Sequence, residues 1–295
     1  MAEPPKTPRG VPTPIPAGRE AFSSLPHAAN VPGDFEAFCD GVRDLIGVDL
    51  THYKRNQMER RARGLASRHN AESLDGYLQL LKTDDHQLDR FIERMTITVS
   101  RLWRNTDIFE AVEDLILPEL NELAGARRLQ FWSAGCSYGA EPYTLAVLCM
   151  ENKHKLDRLP TLLGTDINPR MIDRAKRGYF TDEDARDAPP LLLNKYFERG
   201  SGGWTAGYDL KQMIRFKVQD LFAAKTTGMD LILFRNVAIH FERPKREEIH
   251  RILADALVPG GMLVLGSTEM IVHPVDLGLE RVRPFVFRKT GHTTC

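Results

Sequence analysis

Cysteine is scarce: Cys39, Cys136, Cys149 and Cys295 are the only four in 295 residues, with no C-x-x-C and no Cys/His pair at ligand spacing. That excludes a disulfide framework and a common zinc site, implies no metal, and reads as reduced thiols. Excess charge is also missing. Lys+Arg and Asp+Glu are equal at 40, the formal net charge is zero and the pI is about 7.1. Binding that rests on phosphate neutralisation is therefore not expected, and neither is a nucleic-acid partner; any basic surface must be local. No uncharged apolar run approaches the roughly 18 residues that span a bilayer, and no apolar signal segment opens the chain. The expectation is a soluble, cytoplasmic protein without a transmembrane segment. What the N-terminus has instead is proline, eight of the 18 falling within residues 1–33, so this stretch is expected to be a disordered tail.

From residue 34 the composition changes. Phe35, Phe38, Val42, Leu45 and Ile46 recur at three- and four-residue spacing, the stripe of an amphipathic helix. Three more helical patterns follow, so 34–97 reads as a small all-α domain. Its second helix, within 53–68, carries Lys54, Arg55, Arg60, Arg61, Arg63 and Arg68 against one acid, Glu59. Such a stripe is either a solvated face or an electrostatic docking surface for an acidic partner helix.

After residue 106 apolar strands and helices alternate, which implies parallel βαβ units with helices on both faces and a ligand site at the carboxyl ends of the strands. The junction FWSAGCSYGAEPYTL, residues 131–145, lies at the first such end. Gly135 and Gly139 there would let backbone approach a ligand, and Pro142 suits a first helical turn. Asp166 closes the second strand about 25 residues on, an arrangement suited to an adenosine ribose. The glycine spacing is G-x-x-x-G, and Glu141 stands where a dinucleotide would rest its pyrophosphate. An acid there repels phosphate and suits a cationic ligand. S-adenosyl-L-methionine offers an adenosine, no phosphate, a sulfonium and an amino group.

The runs WSAGCSYGAEPYTLA, TDINPRMIDRAKRGYF, KYF, DLILFRNVAIHF and LVPGGMLVLGSTE, in this order, resemble the CheR-type chemotaxis receptor glutamate methyltransferases over residues 34 to about 290. The resemblance implies an α/β fold: a Rossmann-like S-adenosylmethionine-dependent methyltransferase domain, 107–295, with a small inserted β-subdomain at about 180–216, preceded by the all-α N-terminal domain. It implies a linker, 98–106, that contributes to the active site. Within MTITVSRLWR, Thr98 and Ser100 fall on cofactor positions and Arg104 on that of an arginine reaching the active site. Gly135, Glu141, Asp166, Asp220, Leu221, Arg235 and Asn236 fall on the other cofactor positions. The sequence departs from the family's runs at Thr98 (for Asn), Ala140 (for Glu), Asp220 (for Asn), His240 (for Tyr) and Ser267-Thr268 (for His-Ser). The product of the implied cofactor is S-adenosyl-L-homocysteine.

A glutamate acceptor is ionised at neutral pH and a sulfonium methyl is already activated, so in-line displacement needs no general base and no covalent intermediate. Arg104 is the candidate for pairing with the acceptor carboxylate. His240 is either a second catalytic pocket residue or a satisfied core histidine, and Cys136 a small residue that fits the turn. The acceptor is expected to be an acidic helical receptor or signalling protein docking on the basic helix. Two alternatives share the cofactor site: a methyltransferase for a small molecule or RNA, and an S-adenosylmethionine-binding signalling module with weakened turnover.

Overall fold

The computed structural model describes residues 33–95 and 100–291. The proline-rich residues 1–32, and with them nearly all of the expected tail, lie outside the described residues. So do Thr98 and Cys295.

The first unit is four helices: α1 (Asp34–Ile46), α2 (Arg55–Arg68), α3 (Leu74–Thr83) and α4 (Asp85–Met95). α1 ends where Gly47 adopts φ 72° and returns its N–H to the Arg43 carbonyl, and Ser73 caps α3 through the Gly76 N–H. Their apolar stripes meet in one core: Phe38 lies edge-on to Phe91, Tyr77 packs against both, and Met58 and Leu65 of α2 close it. Arg63, counted among the charges of a docking face, does not lie on that face. It is buried, and its guanidinium holds Asp34 and Glu59. Arg55 pairs with Glu36 and lies near Glu59. Two of the basic residues read along this stretch, Arg55 and Arg63, are therefore paired with acids of α1, which one-dimensional spacing could not reveal.

The second unit opens with α5 (Thr106–Ala111), which runs through a π-helical turn into α6 (Leu117–Ala124). Then come β1 (Gln130–Ala134), α7 (Ala140–Glu151), β2 (Thr161–Asp166), α8 (Pro169–Arg177), β3 (Tyr179–Thr181), α9 (Pro190–Tyr196), β4 (Phe197–Gly200), β5 (Gly203–Ala206), α10 (Tyr208–Met213), β6 (Ile214–Val218), β7 (Met229–Phe234), α11 (Arg243–Ala256), β8 (Leu257–Leu265), β9 (Leu279–Arg283) and β10 (Val286–Lys289). The main sheet has the order β6-β2-β1-β7-β8-β10-β9, parallel from β6 to β8 and antiparallel at β10 and β9. Side-chain alternation divides its two faces: Phe131, Leu231, Leu233 and Val264 pack toward α5, α6 and α7, whereas Trp132, Ile232, Phe234 and Leu263 pack toward α11.

Strands β3, β5 and β4 form a separate antiparallel sheet inserted after α8. The elements from β3 to α10 cover Tyr179–Met213, against the expected 180–216, and β6 beyond them is an edge strand of the main sheet, paired with β2 from Ile214 to Val218. The turn-forming residues of LVPGG do not end the strand: β8 runs straight through them, the register slipping so that Met229 faces Leu257 and Leu231 faces Met262. Gly261 permits this bulge, because a Cβ there would lie 2.9 Å from the Val258 carbonyl oxygen and 3.0 Å from that of Met229. Gly261→Ala should consequently cost about 1–3 kcal/mol in urea unfolding, and an unchanged midpoint would show that the bulge has room to relax.

Candidate active site

One cavity gathers the carboxyl ends of β1, β2, β6 and β7, the segment leading into α5, and part of the helical unit. Ser100, Arg104, Gly135, Glu141, Asp166, Asp220, Leu221, Arg235, Asn236 and His240 all line it. Thr98 falls among the residues not described. Sequence reasoning did not place Tyr53, Met58, Arg61 or Met95 there, yet the helical unit contributes all four. No local pattern could have shown this, because it depends on how two separately folded cores meet.

They meet through backbone. Lys54 N–H donates to the His240 carbonyl at 3.0 Å and Glu242 N–H to that of His52 at 3.2 Å, while the Tyr53 and Phe241 rings lie 4.6 Å apart. Arg170 of α8 pairs with Asp89 of α4. Arg61 thereby leaves the presumed docking stripe: half-buried, it donates to the Met95 carbonyl at 3.2 Å and faces the cavity. Of the six basic residues read on this stretch, Lys54, Arg55, Arg60 and Arg68 are exposed.

The β1–α7 junction reverses direction within five residues by placing Gly135, Ser137 and Gly139 at φ 75°, 51° and 88°. The glycines were expected to open space for a ligand. Gly135 lines the cavity, and the space a side chain would need is occupied by protein: a Cβ on Gly135 would lie 2.6 Å from Val237 Cγ2, and one on Gly139 2.9 Å from Ala175 Cβ. Both are needed for left-handed backbone and close packing. The turn points Ser137 N–H at Asp166 Oδ2 (2.8 Å), and Asn168 N–H takes Oδ1 at 2.9 Å. Burial raises the Asp166 pKa, and the amides of Asn168, Ser137 and Ile167 oppose that rise. A positioned carboxylate with lone pairs left over faces the cavity.

Across the cavity Arg235 ties three segments together. Nη1 donates to Glu141 Oε2 at 3.1 Å, and Nη2 to the Arg104 carbonyl at 2.6 Å and to Asn105 Oδ1 at 3.0 Å. Its guanidinium lies 5.1 Å from the centre of the Phe109 ring. Glu141, whose other oxygen accepts from Ser133 Oγ at 2.7 Å, is thus paired within the protein as well as lining the cavity. Arg104 is flanked by Trp103 and Asn105 at φ 56° and 62°, a strained stretch of backbone. Burial lowers the Arg104 pKa, and Arg235 and Arg101 lower it further.

Glu269 shapes the wall after β7 and had no role assigned from sequence. Nearly fully buried, its carboxylate accepts from the amides of Asn236 (2.8 Å), Val237 (2.8 Å), Ala238 (2.7 Å) and Gly266 (2.8 Å). It fixes Asn236 at φ 61° beside the cavity. The signal was present as the acid that ends LGSTE.

The cavity is chemically divided. Asp166, Asp220 and Glu141 stand at or just beyond the strand ends, while Arg61 comes from α2 and Arg101 and Arg104 from the segment leading into α5. Ser137 Oγ, buried on the same wall as Asp166, has no hydrogen-bond partner among the described residues. An orphaned donor beside a carboxylate at the end of β2 fits the hydroxyl-rich adenosine half of S-adenosylmethionine. Asp166, Asp220 and Leu221 would hold that half, and Ser100, Gly135, Glu141 and Asn236 the remainder. Among the described residues no group of three metal-ligating side chains forms a metal site.

His240 lies in this cavity with its pKa lowered to about 4, first by burial and then by Arg61 and Lys54. It is neutral at physiological pH. An unfolded histidine takes up its proton near pH 6.5 and the folded one only near 4, so the unfolded state binds more protons in between and stability is lost as pH falls through that window. Burial also lowers His250 to about 4. The thermal midpoint should drop from pH 6.5 toward 4, and His240→Asn should lose part of that slope while His250 retains the rest. Identical slopes in the two proteins would contradict the assignment.

Comparison with known proteins agrees with this geometry. Residues 98–282 match the CheR methyltransferase SAM binding domain, and residues 33–96 the CheR methyltransferase all-alpha domain. The chain is 32% identical over 258 residues to a chemotaxis protein methyltransferase of Listeria innocua, covering 87% of this chain and 97% of that one. It is 31% identical over 253 residues to chemotaxis protein methyltransferase 1 of Pseudomonas aeruginosa, covering 83% and 92%. An all-α unit joined to an S-adenosylmethionine-binding α/β unit, with both walling one cavity, thus places the chain in the CheR family of chemotaxis-type, S-adenosyl-L-methionine-dependent methyltransferases.

Proposed function

We propose that this chain methylates glutamate side chains of a chemoreceptor or a related signalling protein, as a cytoplasmic enzyme. The observation that carries the reading is the gathering of guanidiniums at the cavity. Arg104 is half-buried beside two further guanidiniums, Arg101 and Arg235, with its charged form disfavoured by all of these. An arginine keeps its charge under such conditions, so an anionic acceptor entering there relieves both the repulsion and the lost solvation. A carboxylate fits the planar donor fork; an amide does not supply the charge.

S-adenosylmethionine, when bound, supplies a methyl group on a sulfonium that is already activated for transfer. The protein's work is then positional. Arg104 orients the acceptor carboxylate in line, a contribution of up to about 7–11 kcal/mol for well-held reactants. His240, neutral in its pocket, adds no competing charge and is not required as a base, because the acceptor is already ionised. Tyr53, Met58 and Met95 supply an apolar side that limits water. The helical unit thereby completes the acceptor side of the site. An acidic helical partner would meet Lys54, Arg60 and Arg68, which remain exposed around it. No helix among the described residues is long and apolar enough to cross a membrane.

Two variants separate binding from transfer. Asp166→Ala should weaken S-adenosylhomocysteine binding in calorimetry by about 2–3 kcal/mol, through loss of charge-assisted hydrogen bonds to the ribose; unchanged affinity would remove Asp166 from the site. Arg104→Lys keeps the charge and loses the fork, so it should lower turnover on a receptor cytoplasmic fragment far more than it lowers the melting temperature. Equal turnover would take the acceptor carboxylate away from Arg104.

A further inference from the structure

The segment that carries Ser100 and Arg104 is held from the side by the base of the insertion, the turn between β3 and α9. Leu102 N–H donates to the Asp184 carbonyl at 2.9 Å, and Arg101 Nε lies 3.2 Å from Asp187 Oδ2. Tyr138, from the β1–α7 junction, donates its hydroxyl to the Ser100 carbonyl and also lies 2.9 Å from Asp184 Oδ1. Asp184 Oδ2 accepts from Thr181 N–H at 2.9 Å and from Arg174 of α8, whose guanidinium lies 3.8 Å from the centre of the Tyr138 ring. Asp184 therefore joins four pieces of chain: its carboxylate meets the insertion, α8 and the glycine junction, and its backbone carbonyl and Tyr138 reach the segment entering the cavity.

That segment cannot hold its shape alone. Trp103 and Asn105, on either side of Arg104, are both non-glycine residues in left-handed backbone, a conformation that persists only where surrounding contacts over-determine it. The Asp184 cluster on one side and Arg235 on the other supply those contacts. Neither Asp184 nor Tyr138 belongs to the wall assigned to acceptor or cofactor above.

We infer that Asp184 is a positioning residue: acting through Tyr138, it holds Ser100 and Arg104 at the cavity, so that the inserted sheet is mechanically coupled to the acceptor site. The inference rests on the reading of Arg104 given above. One consequence is that a partner gripping the insertion would alter turnover without touching the cavity, because the two share this carboxylate.

The test uses the full chain with Asp184→Asn and Tyr138→Phe, each alone and combined with Arg104→Ala. Asp184→Asn should lower turnover on a receptor cytoplasmic fragment about tenfold, with Tyr138→Phe doing the same, and neither should lower it further in the Arg104→Ala protein. A loss of equal size in both backgrounds would overturn the coupling, whereas an Arg104→Ala protein with parental turnover would overturn the reading of Arg104 instead. Hydrogen exchange decides independently of turnover. The Leu102 and Trp103 amides, bonded to the Asp184 carbonyl and to Thr144 Oγ1, should exchange about tenfold faster in Asp184→Asn while those of β1 stay protected. Parental exchange at both amides would show that Asp184 does not hold the segment.

Discussion

The architecture of the cavity depends on the buried pair of Arg235 and Glu141. Arg235 ends the strand next to β1, Glu141 begins the helix after β1, and the same guanidinium reaches the Arg104 carbonyl. A charge pair taken out of water is costly to assemble and costly to break, about 3–5 kcal/mol when one partner is removed. Its use here is geometric. It sets the distance between the strand ends, where acids gather, and the segment that delivers arginine. Glu269, with four amides on one carboxylate, locks the loop that follows Arg235, and Asp166 locks the glycine junction. Glu269 and Asp166 through amides, and Glu141 through Arg235, thus hold backbone in place around a cavity that Arg61, Arg101 and Arg104 also line.

This explains why a catalytic dyad or triad is absent from the reading. On the proposed reading, transfer from an activated methyl to an ionised carboxylate asks for alignment and charge, and both would come from residues whose own conformations are fixed by neighbours. The helical unit is part of that arrangement. Through Lys54, Tyr53 and Arg61 it forms a wall of the cavity as well as a surface beside it, so on the proposed reading acceptor recognition and acceptor alignment would be physically continuous.

Much of this was legible in the sequence. Alternating strand and helix patterns located β1, β2, β7 and β8, and the glycine junction with Asp166 pointed to the cavity at the strand ends, because period and turn chemistry are local properties. What was not legible is long-range. Arg63 looked like one more surface charge until Asp34, 29 positions away, folded against it; Arg61 looked equivalent to Arg60 until α2 met the strand ends. Pro259-Gly260-Gly261 carries turn chemistry, yet in β8 it makes a bulge because β7 continues alongside. Glu141 read as a free acid, and its partner lies 94 positions later. Ser137 is found only by noticing a buried hydroxyl without a partner.

The central claim is that the guanidiniums at the cavity receive a carboxylate. Its most direct test is the chemistry of the product: incubation of the protein with methyl-labelled S-adenosylmethionine and a receptor cytoplasmic fragment, followed by mild alkali and by mass mapping of the labelled peptides. A carboxyl methyl ester releases its label as methanol in base and maps to glutamate, which is the predicted result. Label that survives alkali, or maps to a lysine, a hydroxyl or a nucleic acid, would contradict the account.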